Sequence, residues 1–341
     1  GGWELSNGLV RVFVTGEGLI TSAVDLATGR DTIAPGRAAN LMQLHQDFPN
    51  MWDAWDVDRF YRNRVTDLTD VESISVSLEN GSAVVTVTRA FSSSRVTQTI
   101  TLAPGSRTLE FAQEADWHEA EKFLKLAFPL AIQAEHTAAE TQFGYAKRVT
   151  HTNTSWEAAK FETSMHRYVH VEEPGFGASL TTDSTYGFDV TRDSDPDDGV
   201  TTTLRLSLLR APRFPDPETD QGEQTHRYGF VIGSGIEDAT EQGLALNLPA
   251  RERTGSPVAP LVTATEGIII SGIKMAADRS GDLIVRVYEP YGRRVSGAIA
   301  IDAPVERVRE SSLIEDPQGL ADLSAVELRP FEVRTYRVSL S

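Results

Sequence analysis

The sequence predicts an all-β protein in which a large antiparallel sandwich is followed by a smaller β unit. Three observations carry that prediction. Apolar residues recur at a period of two through most of the chain, the signature of strands with one covered face. Clusters of Gly, Pro, Asn and Asp punctuate these segments about every 8–12 residues, as in hairpin-connected sandwiches. Few windows keep a helical period. At 341 residues the chain is long enough for two domains, and 40% hydrophobic with 24% charged residues excludes wholesale disorder.

The elements follow in order. Residues 9–14 form a strand candidate, Gly16 and Gly18 supply turn signals, and residues 19–26 return as its partner. Ile74, Val76 and Leu78 alternate with Ser73, Ser75 and Ser77, which predicts a strand with one buried face. Asn80-Gly81 closes a hairpin because both residues tolerate positive φ, and residues 84–87 return. Residues 96–102 and 108–115 continue the series. Between these hairpins, residues 47–61 alternate acids with aromatics and show no amphipathic stripe. That stretch reads either as a sugar-stacking surface or as an ordered loop pinned by Trp52 and Trp55.

Residues 141–160 concentrate an aromatic pair around Gly144, the cations Lys147 and Arg148, His151, Asn153 and Trp156, a set suited to a polar ring-shaped ligand or to a polar surface loop. Residues 165–170 and 177–182 read as strands about the turn at 172–175. The acidic run through Asp193, Asp195, Asp197 and Asp198 does not make a calcium loop, because Asp198 stands where Gly is needed and Leu204 where Glu is needed. Residues 204–209 are a strand, and the proline-rich 212–222 cannot pair inside a sheet. Residues 228–232 resume the β pattern. A linker is expected over 248–260, followed by short strands at 267–275, 282–288, 298–301 and 331–338.

Charge and composition limit the chemistry. A net charge of −17 disfavours nucleic acid and anionic membrane, so a neutral substrate fits better. Without cysteine there is no disulfide, thiolate nucleophile or Cys-zinc site, which leans towards the cytoplasm. No apolar run reaches ~18 residues, and no leader is visible, although a chain opening on Gly1-Gly2 ahead of a strand reads as cut from something longer. His45-Gln46-Asp47 offers two metal ligands with no third nearby, and His166 and His170 lie four apart in a strand-like segment. There is no nucleophile elbow, no phosphate-cradling glycine loop and no H-E-x-x-H. No pair of carboxylates can be selected for glycoside hydrolysis from sequence.

Several ordered motifs nevertheless form a set: Asn7-Gly8-Leu9-Val10-Arg11-Val12, Trp52-Asp53-Ala54-Trp55-Asp56-Val57-Asp58, Asp116-Trp117-His118-Glu119, Gln142-Phe143-Gly144-Tyr145-Ala146-Lys147-Arg148, Leu206-Ser207-Leu208-Leu209-Arg210-Ala211-Pro212 and Asp220-Gln221-Gly222. With these the chain resembles, over nearly its whole length, the C-terminal β-rich region of glycoside hydrolase family 38 α-mannosidases, in their bacterial and cytosolic branch.

The resemblance implies a galactose mutarotase-like supersandwich over residues 1–250 and a small C-terminal β-sandwich over 251–341. Full-length members are retaining hydrolases of terminal α-D-mannosides whose zinc and aspartate nucleophile sit in an N-terminal barrel that this sequence lacks. It therefore implies no catalytic residue, no metal ligand and no cofactor in this chain. Its partners would be the α-mannoside and the missing barrel. Tyr145 matches a position where the family sets a tyrosine hydroxyl against the sugar, and Asp220, Gln221 and Gly222 match a loop reaching the substrate cleft. A stand-alone carbohydrate-binding or structural β module, and a mutarotase-like epimerase, remain alternatives.

Overall fold

The computed structural model describes residues 1–195, 199–251, 253–256 and 258–341, so Asp197 and Asp198 of the acidic run lie outside the described residues. The chain divides into two compact units, one of Gly1–Glu140 with Lys147–Pro249 and the other of Thr141–Ala146 with Ala250–Ser341.

The first unit is a supersandwich. A nine-stranded antiparallel sheet runs from Gly144–Val149 through His136–Thr141, Tyr168–Glu173, Phe176–Thr182, Gly222–Ile232, Thr108–Trp117, Ser94–Leu102 and Ser82–Phe91 to the edge strand Ser73–Glu79. A six-stranded sheet has the order Thr163–Ser164, Gly187–Asp195, Gly199–Arg210, Lys122–Leu130, Leu41–Gln46 and Val65–Asp67. Four strands from Gly2–Ser6 to Arg30–Asp31 form a smaller sheet of their own. Thr108–Trp117 alternates buried and exposed residues as the period-two pattern requires. Between the large sheets Phe111 stacks on Tyr228 at 5.0 Å, and Phe128 meets Phe111 at 6.1 Å and Phe230 at 5.1 Å. These rings pack across the space between the two layers and help hold them together.

Lys122–Leu130 is buried on both faces. Leu124, Leu126 and Phe128 point into the core, whereas Phe123 and Lys125 point away from it and are covered from outside by residues carried on loops. That second covering builds the site described below.

Two expectations are corrected here. The apolar face of Ser73–Glu79 is covered only at one end: Ile74 packs against the core, whereas Val76 is 41% and Leu78 76% exposed, because this strand is the free edge of its sheet. A helix, Ile236–Asn247, stands where no helical period is read. It buries only Ala239, Thr240 and Gly243, a small-residue face that makes no apolar stripe. Its start is set by Asp238, whose carboxylate accepts the Gly235 N–H at 2.8 Å. Among the described residues, no helix is long and apolar enough to cross a membrane.

The second unit is a small β-sandwich. Its five-stranded sheet has the order Ile269–Met275, Leu283–Tyr288, Val333–Leu340, Val305–Ser311 and Pro317–Leu320. Two ribbons, Val262–Ala264 with Ile299–Ile301 and Val295–Gly297 with Val326–Leu328, complete it. Val285, Val287, Leu328, Tyr336 and Val338 lie in its core.

Candidate functional site

Lys125 is 0% exposed and stands on the outward face of the six-stranded sheet. A buried ammonium is tolerated only when paired and hydrogen-bonded. Its Nζ reaches the Glu162 carboxylate, Asp189 Oδ2 at 2.7 Å and Ser207 Oγ at 2.9 Å, and it lies 4.6 Å from the centre of the Phe123 ring. Asp189, on the neighbouring strand Gly187–Asp195, also accepts from Arg62 at 3.1 Å, from Arg205 at 3.0 Å and from the Tyr61 hydroxyl at 3.3 Å. Four donors therefore converge on one carboxylate. Burial pushes its pKa up, but Lys125, Arg205 and Arg62 outweigh that and hold it down at about 2.

Local sequence sets each partner. Tyr61 and Arg62 ride on the 3-10 turn Arg59–Asn63, where the Asp58 carboxylate accepts the Phe60 N–H at 3.2 Å. Arg62 also donates to the Phe161 carbonyl at 2.6 Å, which fixes Glu162 next door, and Tyr61 donates to Glu162 at 2.9 Å. Burial, with Asp189 and Glu162 alongside, pushes the Tyr61 hydroxyl well above its usual range, so it stays protonated, donating to the carboxylates while its oxygen accepts from Arg62 at 3.2 Å. His45 packs edge-on against Tyr61 at 5.0 Å. Burial, helped by Lys125, pulls its pKa down to about 4, and the ring is neutral at pH 7.

The cluster underlies two openings. The larger, about 560 Å³, is lined by Phe123, Glu162, Ser207, Tyr186, Val57 and Arg210 among others. The smaller, about 140 Å³, is bounded by His45, Arg62, Asp189, Thr191 and Arg205. Val57 belongs to the acid-and-aromatic stretch, which reaches the cleft because Arg210 holds it. Arg210 pairs with Asp47 at 2.6 Å and donates to the Asp53 carbonyl at 3.0 Å. The Asp53 carboxylate in turn accepts the Arg213 and Phe214 N–H groups. Trp52 and Trp55 do not pin this loop against the sandwich: they are 63% and 66% exposed, and the Trp55 ring pairs edge-on with the exposed Phe214 ring, at 6.4 Å.

The residues singled out from sequence fall in two places. Asp220, Gln221 and Gly222 stand at the Arg210 side of the first unit. Asp220 takes a left-handed conformation at φ 62°, its carboxyl accepts the Arg210 backbone N–H, and burial raises its pKa. Gln221 donates its amide to the Glu119 carbonyl at 2.6 Å, and Gly222, at φ 86°, opens the strand Gly222–Ile232. Tyr145 belongs to the second unit, where its hydroxyl donates to the Tyr291 carbonyl at 3.3 Å and its ring meets Phe331 edge-on at 5.1 Å. Phe143 packs on Tyr288 in the same way, and a Cβ at Gly144 would come within 2.4 Å of the Phe331 ring. The His45-x-Asp47 motif does not form a metal pair, since His45 faces the Lys125 cluster and Asp47 is taken by Arg210. Among the described residues no group of three potential ligands could hold a metal ion.

The cluster itself escapes a reading of motifs. Its one visible sign is Lys125, a lone cation inside the apolar run Phe123-Leu124-Lys125-Leu126-Ala127-Phe128.

Comparison with known proteins bears on the whole chain. The model described as "Glycosyl hydrolases family 38 C-terminal domain" matches residues 5–218, and that described as "Glycosyl hydrolases family 38 C-terminal beta sandwich domain" matches residues 267–336. Over 98% of its length the chain is 33% identical to Alpha-mannosidase 2C1 of Homo sapiens, of which it covers 33%, and 26% identical to Alpha-mannosidase of Saccharomyces cerevisiae, of which it covers 34%. The crystal structure of an alpha-mannosidase from Enterococcus faecalis V583 shares the fold, with a TM-score of 0.77 at 18% identity over 98% of this chain and 42% of that one. The chain thus spans about a third of the length of the curated relatives it matches.

Proposed function

The chain belongs to glycosyl hydrolase family 38 as its C-terminal region, and from that premise we propose that it is the β-rich part of an α-mannosidase, bracing and partly lining an active site assembled with the preceding part of the enzyme. On this reading the reaction is retaining hydrolysis of terminal α-D-mannosides, and zinc and the nucleophile are supplied from outside these residues. Tyr145, Asp220, Gln221 and Gly222 are the substrate-facing groups, and the enzyme works in the cytoplasm.

The observation that carries the proposal is the exposed aromatic loop at the mouth of the cleft. Trp52, Trp55, Phe60 and Phe214 are each more than half exposed, yet backbone and side-chain hydrogen bonds hold the loops that carry them. Large ordered aromatic surface left in water marks a face that another body covers. The relatives, about three times as long, contain such a body's worth of chain.

The test is hydrolysis of an activated aryl α-mannoside. The purified chain, with zinc supplied, is expected to show no turnover, and joining it to the N-terminal part of a relative is expected to restore it. Turnover by the chain alone that survives repurification and falls on Tyr145→Phe would place a complete site in these residues and overturn the proposal. Millimolar binding of free mannoside by the chain alone, abolished by Trp52→Ala with Trp55→Ala, would instead favour an independent carbohydrate-binding module.

A further inference from the structure

We infer that the smaller opening, between His45, Arg62, Thr191 and Arg205, is a binding site for a small anion. The argument is one of hydrogen-bond stoichiometry and charge, and it does not depend on the proposed function.

Three cations, Lys125, Arg62 and Arg205, share two carboxylates, Glu162 and Asp189, which leaves one positive charge in excess. This surplus sits in a chain whose net charge is −17. A third carboxylate, Asp67, reaches the group only through Gln43, which donates to it at 2.8 Å and accepts from Arg205 at 3.2 Å. Unbalanced charge in a partly dehydrated setting is costly and favours an ion of opposite sign.

The lining is also rich in donors and poor in acceptors. Asp189 already receives Lys125, Arg62 and Arg205, and shares the one Tyr61 proton with Glu162, so its carboxylate has little acceptor capacity left for a ligand. Thr191 Oγ1 accepts from Arg205 at 3.1 Å and keeps its own proton to give. His45 is 5% exposed, and neither ring nitrogen has a hydrogen-bond partner of good geometry among the described residues; it approaches the Tyr61 carbonyl without closing a bond. A buried imidazole with nothing to bond is rare in native proteins. Here it borders an opening of about 140 Å³, room for a chloride or for a tetrahedral oxyanion. Two guanidinium groups, a hydroxyl and an imidazole N–H around one space match the donors that hold such ions elsewhere. A neutral sugar would bring hydroxyl donors to a space where acceptors are few, the unprotonated ring nitrogen of His45 being one.

The measurement is the melting temperature of the chain as sodium phosphate, and separately sodium chloride, is raised at constant ionic strength set with sodium gluconate. Saturable stabilisation of roughly 2–4 °C by either ion is expected. It should vanish in His45→Phe, which keeps the ring against Tyr61 but removes the N–H, and weaken in Thr191→Val. Phosphate alone acting would identify an oxyanion site, and chloride alone a halide site. Arg62→Gln removes the surplus charge and should abolish the effect, but it also breaks a salt bridge, so His45→Phe decides. A shift that never saturates, or one equal in His45→Phe and the unaltered chain, would overturn the inference.

Discussion

Replacing Asp189 by Asn is expected to cost the first unit roughly 3–5 kcal/mol, the range found when one partner of a buried ion pair is removed. The carboxylate holds three cations at once, and they do not suffer equally. Arg62 is about a third exposed and can take up water, whereas Lys125 is fully buried and keeps only Glu162 and Ser207. Most of the loss therefore lies with Lys125. The pH dependence has a definite sign. Asp189 is depressed from the ordinary 3.8 to about 2 in the folded state, so its contribution is complete above 3.8 and is lost as pH falls towards about 2. Denaturant midpoints measured across that window should fall steeply for the unaltered chain and more shallowly for Asp189→Asn. A midpoint for Asp189→Asn at pH 7 within ~1 kcal/mol of the unaltered chain would show that the cluster is less coupled than its geometry indicates.

Glu289→Ala is expected to be comparably severe in the second unit. Glu289 is 0% exposed and its carboxylate accepts the backbone N–H groups of Tyr291, Gly292, Arg293 and Phe331 at 2.7–3.2 Å. Alanine leaves four amides to find water, and at 1–3 kcal/mol for each donor stranded in the interior a total of roughly 3–5 kcal/mol follows once some rehydrate. The same turn presents the Tyr291 carbonyl to Tyr145, and Phe331 carries the ring that Tyr145 packs on. Loss of protection of these four amides to hydrogen exchange, together with a changed near-ultraviolet aromatic signal, is the expected readout. Amides that exchange as slowly as before would sink this account.

How far the sequence reveals all this depends on where each interaction sits along the chain. Strands such as Thr108–Trp117 are legible because one face meets water and the other the core, so solvent itself writes the alternation. Ser73–Glu79 is legible as a strand but not as an edge, since alternation says nothing about whether a neighbouring layer extends that far. Ile236–Asn247 hides because small residues suffice for the shallow surface it covers. The charged cluster hides for a different reason. Lys125 meets Glu162 across 37 residues, Tyr61 meets Asp189 across 128, and Arg205 meets Asp189 across a hairpin, so no local window contains the group. The family resemblance locates Tyr145, Asp220, Gln221 and Gly222 by matched motifs, but only the structure reveals that Gln221 already donates to Glu119 and that Asp220 is partly buried.

The placement of Thr141–Ala146 in the second unit has a bearing on the order in which the protein folds. Tyr145 and Tyr291 are 146 residues apart in sequence, so this contact closes a very long loop. The entropic cost of closure rises only logarithmically with length, but the rate at which such contacts form falls with their separation. During synthesis from the N-terminus, Phe143 and Tyr145 emerge long before Tyr288 and Phe331 exist to receive them. Until then their rings have no partners from the second unit, leaving a sticky site on the nascent chain. A polypeptide beginning at Ala250 would fare no better, because it would carry the receiving rings without the two they are shaped to hold.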